Sequence, residues 1–322
     1  MTSLTLPPRQ ETAEGRPRRV GVEIEFAGVD AQAAARLVEA VFGGRAELTS
    51  KHQGVVRETR FGEFEIELDS SHAHPKGAEE VGELRARLSA ELRETVGDVV
   101  SAWMPFEIVG PPVPITDLPA FDELVARLRE QRAEGTRANP LYGFGVQLNP
   151  EVAATDVAYL LAHLQAYLVL SPWLRREIEV DATRRLLPFA DPFPEAYAQK
   201  VLAKSYTPSL DQLIDDYLEA NPTRNRELDL LPLFAHLDEP RVRSRVDDPK
   251  IKPRPTFHYR LPNSGVDDPA WVGIVGEWNR WVEVERLADD PPRLRETADA
   301  FLASQHGPVT RWVEQVRGWL GG

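Results

Sequence analysis

The sequence predicts an α+β fold: a mainly antiparallel sheet with helices packed on one face and an open acidic cleft on the other. Three observations carry this. Several short segments alternate apolar and polar residues with period two, the mark of strands with one buried and one wet face. Longer segments between them repeat apolar residues at helical spacing. The wet face of the strands is built largely of glutamate. Strands separated by helices ordinarily suggest a parallel sheet, but parallel strands buried on both faces read as continuous apolar runs. These do not.

Residues 1–18 are polar and rich in Pro and Arg, and are expected as a mobile N-terminal tail. Residues 19–322 are expected as a single domain with a largely helical segment over about 171–255. In residues 19–29, Val20, Val22, Ile24 and Phe26 point one way and Gly21, Glu23, Glu25 and Ala27 the other. A helix over 32–42 follows on Ala34, Leu37, Val38 and Val41, and Gly43-Gly44 ends it. Residues 54–60 and 63–69 pair as a hairpin about Phe61-Gly62. Its second arm puts Phe64, Ile66 and Leu68 on one face and Glu63, Glu65, Glu67 and Asp69 on the other. Residues 78–99 read as a long amphipathic helix, 104–109 as a strand stopped by Gly110-Pro111-Pro112, and 119–132 as a helix. A strand over 141–149 closes at Pro150, and an apolar helix over 152–170 is expected to be the most buried. After a Pro-punctuated helical stretch comes a last strand, 256–261. A helix over 271–287 carries the aromatic stripe Trp271, Trp278 and Trp281, and two short helices finish the chain.

Composition narrows the function. The 322 residues, 42% hydrophobic, suffice for a sizeable core. The net charge of −13 (38 basic against 51 acidic residues) repels nucleic acid and anionic membrane surfaces, so neither is expected as a partner. Cysteine is absent, which excludes disulfides, thiolate zinc sites and a Cys nucleophile, and suits a reducing cytoplasm. The N-terminus has no signal-peptide core, and the longest apolar stretches are expected to be broken by charges within about ten residues. The protein is therefore expected to be soluble and cytoplasmic; its oligomeric state is not legible in the sequence. There is no phosphate-binding P-loop, dinucleotide fingerprint or Gly-x-Ser-x-Gly elbow.

The glutamates are the chemical signal. Glu23 and Glu25 emerge from one strand face about 6–7 Å apart, and Glu65, Glu67 and Asp69 do the same on another. If the two strands are neighbours, about 4.8 Å separates them, and four or five carboxylates crowd one patch. Such repulsion needs compensation. Oxygen-only sites select Mg²⁺, Mn²⁺ or Ca²⁺, and the scarcity of His on these strands argues against zinc. The same pattern is also that of a solvated sheet face.

These residues also carry a resemblance. Gly21-Val22-Glu23-Ile24-Glu25-Phe26 resembles the opening strand of the amidoligase family, carboxylate–amine ligases of the glutamine synthetase and glutamate–cysteine ligase superfamily. In order after it, Gly62-Glu63-Phe64-Glu65-Ile66-Glu67-Leu68-Asp69-Ser70 resembles the family's second acidic strand. Phe106-Glu107-Ile108-Val109-Gly110-Pro111-Pro112 resembles its Glu-Ile-Val-Ser-Pro-Pro segment. Tyr142 to Asn149 stands where many members have Gly-Leu-His-Val-His-Val, with Gly145 and Gln147 in place of the His pair. Residues 257–263 stand where many have Glu-Phe-Arg, with His258 in place of Glu.

The resemblance implies a glutamine-synthetase-like sheet and an ATP-dependent ligase. ATP phosphorylates a carboxylate, and an amine displaces the phosphate from the acyl phosphate to give an amide. It implies Mg²⁺ (or Mn²⁺) on Glu23, Glu25, Glu65, Glu67 and Asp69. It gives Arg260 and Glu107 catalytic roles, and makes Arg260, Gln147, Asn149 and Arg254 nucleotide contacts. Guanidinium suits a transferring phosphate because it binds bidentately. The substrates would be a small carboxylate and an amine, amino-acid or peptide-like. Two alternatives stand beside this: a catalytically degenerate binding protein of the same fold, kept open by Gly145, Gln147 and His258, and a metal-dependent phosphoesterase using the same carboxylates. His72 and His74 are candidate metal ligands or exposed loop histidines. Arg184-Arg185, Lys200, Lys204, Lys250 and Lys252 are candidate phosphate contacts or solvated charges.

Overall fold

The computed structural model shows a mixed α/β protein with a mainly antiparallel sheet; it describes residues 2–68, 105–138, 143–179, 190–304 and 309–320. By backbone contacts the chain divides into two compact units. A strand-rich unit comprises Gly21–Gln147 and Asn263–Val275. A helix-rich unit comprises Met1–Val20, Leu148–Pro262 and Gly276–Gly322. The expected helix over 78–99 lies outside the described residues.

The strand-rich unit contains most of β1 (Arg19–Phe26), then α1 (Ala31–Phe42), β2 (Arg45–Ser50), β3 (Gln53–Thr59), β4 (Gly62–Leu68), β5 (Phe106–Val109), β6 (Val113–Pro114), α2 (Pro119–Glu130) and the start of β7 (Val146–Pro150). The order is β2-β3-β4-β5-β1, antiparallel at each pairing with a printed register, and β6 also pairs with β1. The period-two pattern of β1 is realised: Val22, Ile24 and Phe26 are fully buried, as are Phe64, Ile66 and Ile108 on its neighbours. Each such side chain contributes about 1.5–3 kcal/mol by leaving water. Helix α1 packs on this unit's strands and on α2. Phe42 stacks on Phe64 at 4.6 Å and meets Phe121 of α2 at 5.0 Å.

Local chemistry sets the ends of α1. Asp30 accepts from the Ala33 amide at 2.7 Å, satisfying one of the first-turn donors. Gly43 closes the helix at φ +76°. Gly44 follows at φ +92°, and a Cβ there would lie 2.3 Å from the Arg57 carbonyl oxygen, so only glycine fits. Strand β2 was not expected. Most of its residues are exposed, so its alternation carries no burial signal.

The helix-rich unit holds the end of β7, then α3 (Val157–Glu177), α4 (Glu195–Leu202), α5 (Leu210–Ala220), β8 (Leu228–Asp229), α6 (Leu231–Arg243), β9 (His258–Tyr259), most of α7 (Gly273–Ala288), α8 (Pro291–Ser304) and α9 (Val309–Leu320). Strand β9 lies between β7 and β8, with Leu148 and Leu228 both opposite Tyr259 and Asp229 opposite His258. The strands expected over 141–149 and 256–261 shorten to Val146–Pro150 and His258–Tyr259.

Helix α3 begins at the Asp156 cap, whose side chain accepts from the Tyr159 amide at 3.0 Å, and continues past Pro172. It corrects one expectation. Val157–Glu177 is long and apolar enough to cross a membrane, because residues 157–174 contain no charged side chain. Within this unit, 67% of that window is buried and α8, α9 and α4 pack against the helix, which is how a core helix reads. Residues 2–18, expected as a mobile tail, make specific bonds to α7. Thr5 bonds to Asn279 and receives the indole of Trp278. Arg18 is buried, donating to both oxygens of Glu285 at 2.7 and 2.8 Å and to the Glu151 carbonyl at 2.7 Å. A polar segment reads as a tail only while the partner of its buried cation is unknown.

Candidate functional site

In the strand-rich unit the antiparallel register aligns the predicted acids. Glu25 lies opposite Glu107, and Glu107 opposite Glu67, so β1, β5 and β4 contribute one carboxylate each to a single row. The next row is Glu23–Val109–Glu65. All five acids project from the face opposite Val22, Ile24 and Ile66, as period two requires. Burial grades across the row: Glu25 is 2% exposed, Glu107 is 8%, and Glu67 is exposed, as is Glu65, while Glu23 is half-buried. The last predicted metal ligand, Asp69, lies outside the described residues, as do His72, His74 and Arg184-Arg185.

Glu25 is held from the β7 side. The Gly145 amide donates to Oε2 at 2.6 Å, and the Gln147 side-chain amide donates to Oε1 at 3.0 Å. The same Gln147 nitrogen is 3.4 Å from Glu107 Oε1, so one neutral side chain bridges two buried carboxylates. Backbone bonds fix the register: the Glu25 amide donates to the Gly145 carbonyl at 3.1 Å, and the Ser264 hydroxyl donates to the Glu25 carbonyl. Gly110, where the family pattern has Ser, is tightly enclosed; a Cβ there would lie 3.1 Å from the rings of Phe64 and Phe121.

The donor set is oxygen only, which suits Mg²⁺ or Mn²⁺. Among the described residues no group of three or more His, Asp or Glu side chains is placed to hold a metal ion. A closed protein cage is therefore absent among them, and the set fits the way Mg²⁺ is ordinarily held, by one or two carboxylates with water and phosphate completing the shell.

In the helix-rich unit a second cluster gathers the remaining predicted residues. Asn149 accepts from Arg254 at 2.8 Å. Arg260 bonds through its side chain to the Arg224 carbonyl and through its amide to the Glu227 carbonyl. At the centre is Asp229, fully buried on β8, whose Oδ1 accepts from the Leu231 amide at 2.9 Å and whose Oδ2 is 3.3 Å from His258 Nδ1. Burial pushes the Asp229 carboxyl up to about 6, against the pull of Arg260, Arg224 and Arg254. The neighbouring Glu227 is also raised by burial, though Arg175 and the Ser171 hydroxyl bond to it. The sequence reading missed Asp229 and Glu227. The available signal was an aspartate inside the apolar run Leu228-Asp229-Leu230-Leu231, because a charge in such a run is buried and needs partners.

Residues 16–283 match a family model described as putative amidoligase enzyme. No curated protein and no solved structure was found to match the chain.

Proposed function

The chain belongs to the amidoligase family, and on that premise we propose that it is an ATP-dependent ligase joining a small carboxylate to an amine. The observation that carries the reading is the row Glu25–Glu107–Glu67, two of its members buried side by side in register. Adjacent buried carboxylates repel each other, and a bound cation would offset that repulsion. In the proposed reaction a substrate carboxylate oxygen attacks the γ-phosphorus of ATP and ADP leaves. The amine nitrogen then attacks the acyl carbon, phosphate leaves, and the nitrogen gives up a proton.

Glu23, Glu25, Glu65, Glu67 and Asp69 would hold Mg²⁺ (or Mn²⁺), with Glu107 between Glu25 and Glu67 in the row. The metal would neutralise phosphate charge as it develops. Gln147 would orient Glu25 through the hydrogen bond its side-chain amide donates. Glu107, less enclosed than Glu25, would take a proton from the substrate ammonium, giving the amine that attacks. Arg260 and Arg254 would contact phosphate, Arg254 being oriented by Asn149.

Two observations favour a second reading, a degenerate binding protein. Gln147 occupies both buried carboxylates with a neutral amide, and His258 is turned to the buried Asp229. Calorimetry of a non-hydrolysable ATP analogue separates the two readings from no nucleotide role at all. Mg²⁺-dependent binding in the wild type, lost in Glu23→Gln/Glu25→Gln, supports the acidic row as a metal–nucleotide seat. ADP release in a screen of carboxylate and amine pairs then supports the ligase, and binding without turnover the degenerate member. Absence of binding in the wild type removes the ligase reading.

A further inference from the structure

Within the helix-rich unit, the segment Ser3-Leu4-Thr5-Leu6-Pro7-Pro8-Arg9 lies along α7 and is held there largely by its main chain. The Asn279 side chain bonds to it twice. Its oxygen accepts from the Thr5 amide and its nitrogen donates to the Ser3 carbonyl, each at 2.8 Å. The Trp278 indole donates to the Thr5 carbonyl at 3.0 Å. Arg9 adds a side-chain contact: its guanidinium donates to Asp289 at 2.9 Å and lies 5.3 Å from the centre of the Tyr159 ring. Pro7 is buried, but Leu6 is 42% exposed, so this large apolar side chain contributes little to the hold.

The sequence of the segment sets its shape. Proline fixes φ at about −65°, and a residue before proline is confined to extended or polyproline conformations. Leu6 and Pro7 both precede proline, so this stretch is extended before it docks. Such runs lose little entropy on binding and are commonly received by aromatic side chains. Here Trp278 bonds to the main chain and Tyr159 faces the arginine. Main-chain bonds are indifferent to the side chains between them. What fits residues 3–9 therefore fits any segment with the same frame: a residue with a free amide, then Pro-Pro two positions on, then a basic residue. We infer that this face of α7 is a docking site for an extended segment of a partner protein with Pro-Pro followed by Arg or Lys, and that residues 3–9 occupy it in cis as a built-in competitor.

The occupancy is exchangeable because the hold is shallow. Each neutral hydrogen bond gains little net of water. The Arg9–Asp289 pair is solvent-exposed, where ion pairs are weak. Deep anchorage begins only at Arg18, bonded to Glu285 and the Glu151 carbonyl. Between the two stretches the chain turns at Gly15, at φ +73°, with the Thr12 amide bonded to the Arg16 carbonyl. Residues 3–9 thus lift away while Arg18 stays in place, a local opening well below the stability of the whole fold. The cis segment weakens a partner's apparent affinity in proportion to the fraction of chains in which the face is open. None of these residues serves the proposed ligase reaction, so failure of either reading leaves the other standing.

The test uses the full chain and a fluorescently labelled synthetic peptide of residues 2–10, read by fluorescence anisotropy. Thr5→Pro removes the amide that bonds to Asn279, which loosens the resident segment and leaves α7 unaltered. The peptide is expected to bind Thr5→Pro about tenfold tighter than the wild type. Adding Asn279→Ala should weaken it about tenfold; alanine favours the helix, so that loss is not one of folding. Asp289→Lys should weaken it about fivefold, and a peptide carrying Arg9→Glu should recover the loss. A Thr5→Pro chain that binds no peptide overturns the inference. So does equal binding by wild type and Thr5→Pro, or binding that Asn279→Ala leaves unchanged. Light scattering tests the other occupant: a wild-type dimer that Asn279→Ala converts to monomer means the face is filled by residues 3–9 of a second copy, and overturns the cis arrangement.

Discussion

Replacing Glu107 by Gln should stabilise the metal-free protein. Glu107 and Glu25 are direct cross-strand partners, so their carbons lie about 4.5–5.5 Å apart at the backbone. Both are buried. Two like charges about 5 Å apart at an effective dielectric constant of about 20 repel by about 3 kcal/mol. Gln147 bonds to Glu25 and approaches Glu107, and such neutral donors offset part of this, leaving about 1–2 kcal/mol to be recovered. For a chain of 322 residues that corresponds to about 1.5–3 °C in melting temperature. Mg²⁺ should act the other way round. At about a hundredfold above its Kd it should add about 2.7 kcal/mol to the wild type, and markedly less to Glu107→Gln. Thermal melts with chelator and with Mg²⁺ read both effects. A variant that melts lower than the wild type in chelator would refute the repulsion. An equal Mg²⁺ shift in both proteins would remove the row as the metal seat.

Three further outcomes follow from the structure. Arg18→Ala leaves Glu285 buried without its bidentate partner and should cost about 3–5 kcal/mol by urea unfolding; adding Glu285→Gln should recover part of it, and full independence of the two changes would show the pair is not coupled. His163 is buried against Tyr159 and Phe257, and burial pushes its imidazole down to about 4. Its folded pKa is thus below the unfolded value of about 6.5, so its contribution is present above that pH and is lost as pH falls toward 4. This amounts to about 3 kcal/mol, and His163→Phe should flatten the stability profile in that window. Gly44→Ala should destabilise by more than the usual glycine-to-alanine change, because φ is +92° and the Arg57 carbonyl occupies the Cβ position; a melting temperature equal to the wild type's would contradict the enclosure.

The sequence alone was enough for whatever depends on local period and residue type. Period two in β1 separated Val22, Ile24 and Phe26 from Glu23 and Glu25 before any neighbour was known, because adjacent side chains of a strand must point to opposite faces. The helix over Ala31–Phe42 and the hairpin of β3 and β4 were legible for the same reason, each with its own turn or cap. So was the family, through ordered motifs that each sit on one element. Tertiary structure decided everything that joins distant segments. Glu107 entered the row beside Glu25 because of strand order, which period does not encode. Gln147 bridges carboxylates on two strands. The segment before β1 reads as a tail until Glu285 supplies the partner of Arg18, across 267 positions of chain. Asp229 finds its partners, the Leu231 amide and His258, only where β8 and β9 pair. Local pattern fixes which face a side chain takes, since that is a property of the backbone. Which charges then meet is set by pairing across the fold, where the energy of a buried group depends on neighbours the chain brings from elsewhere.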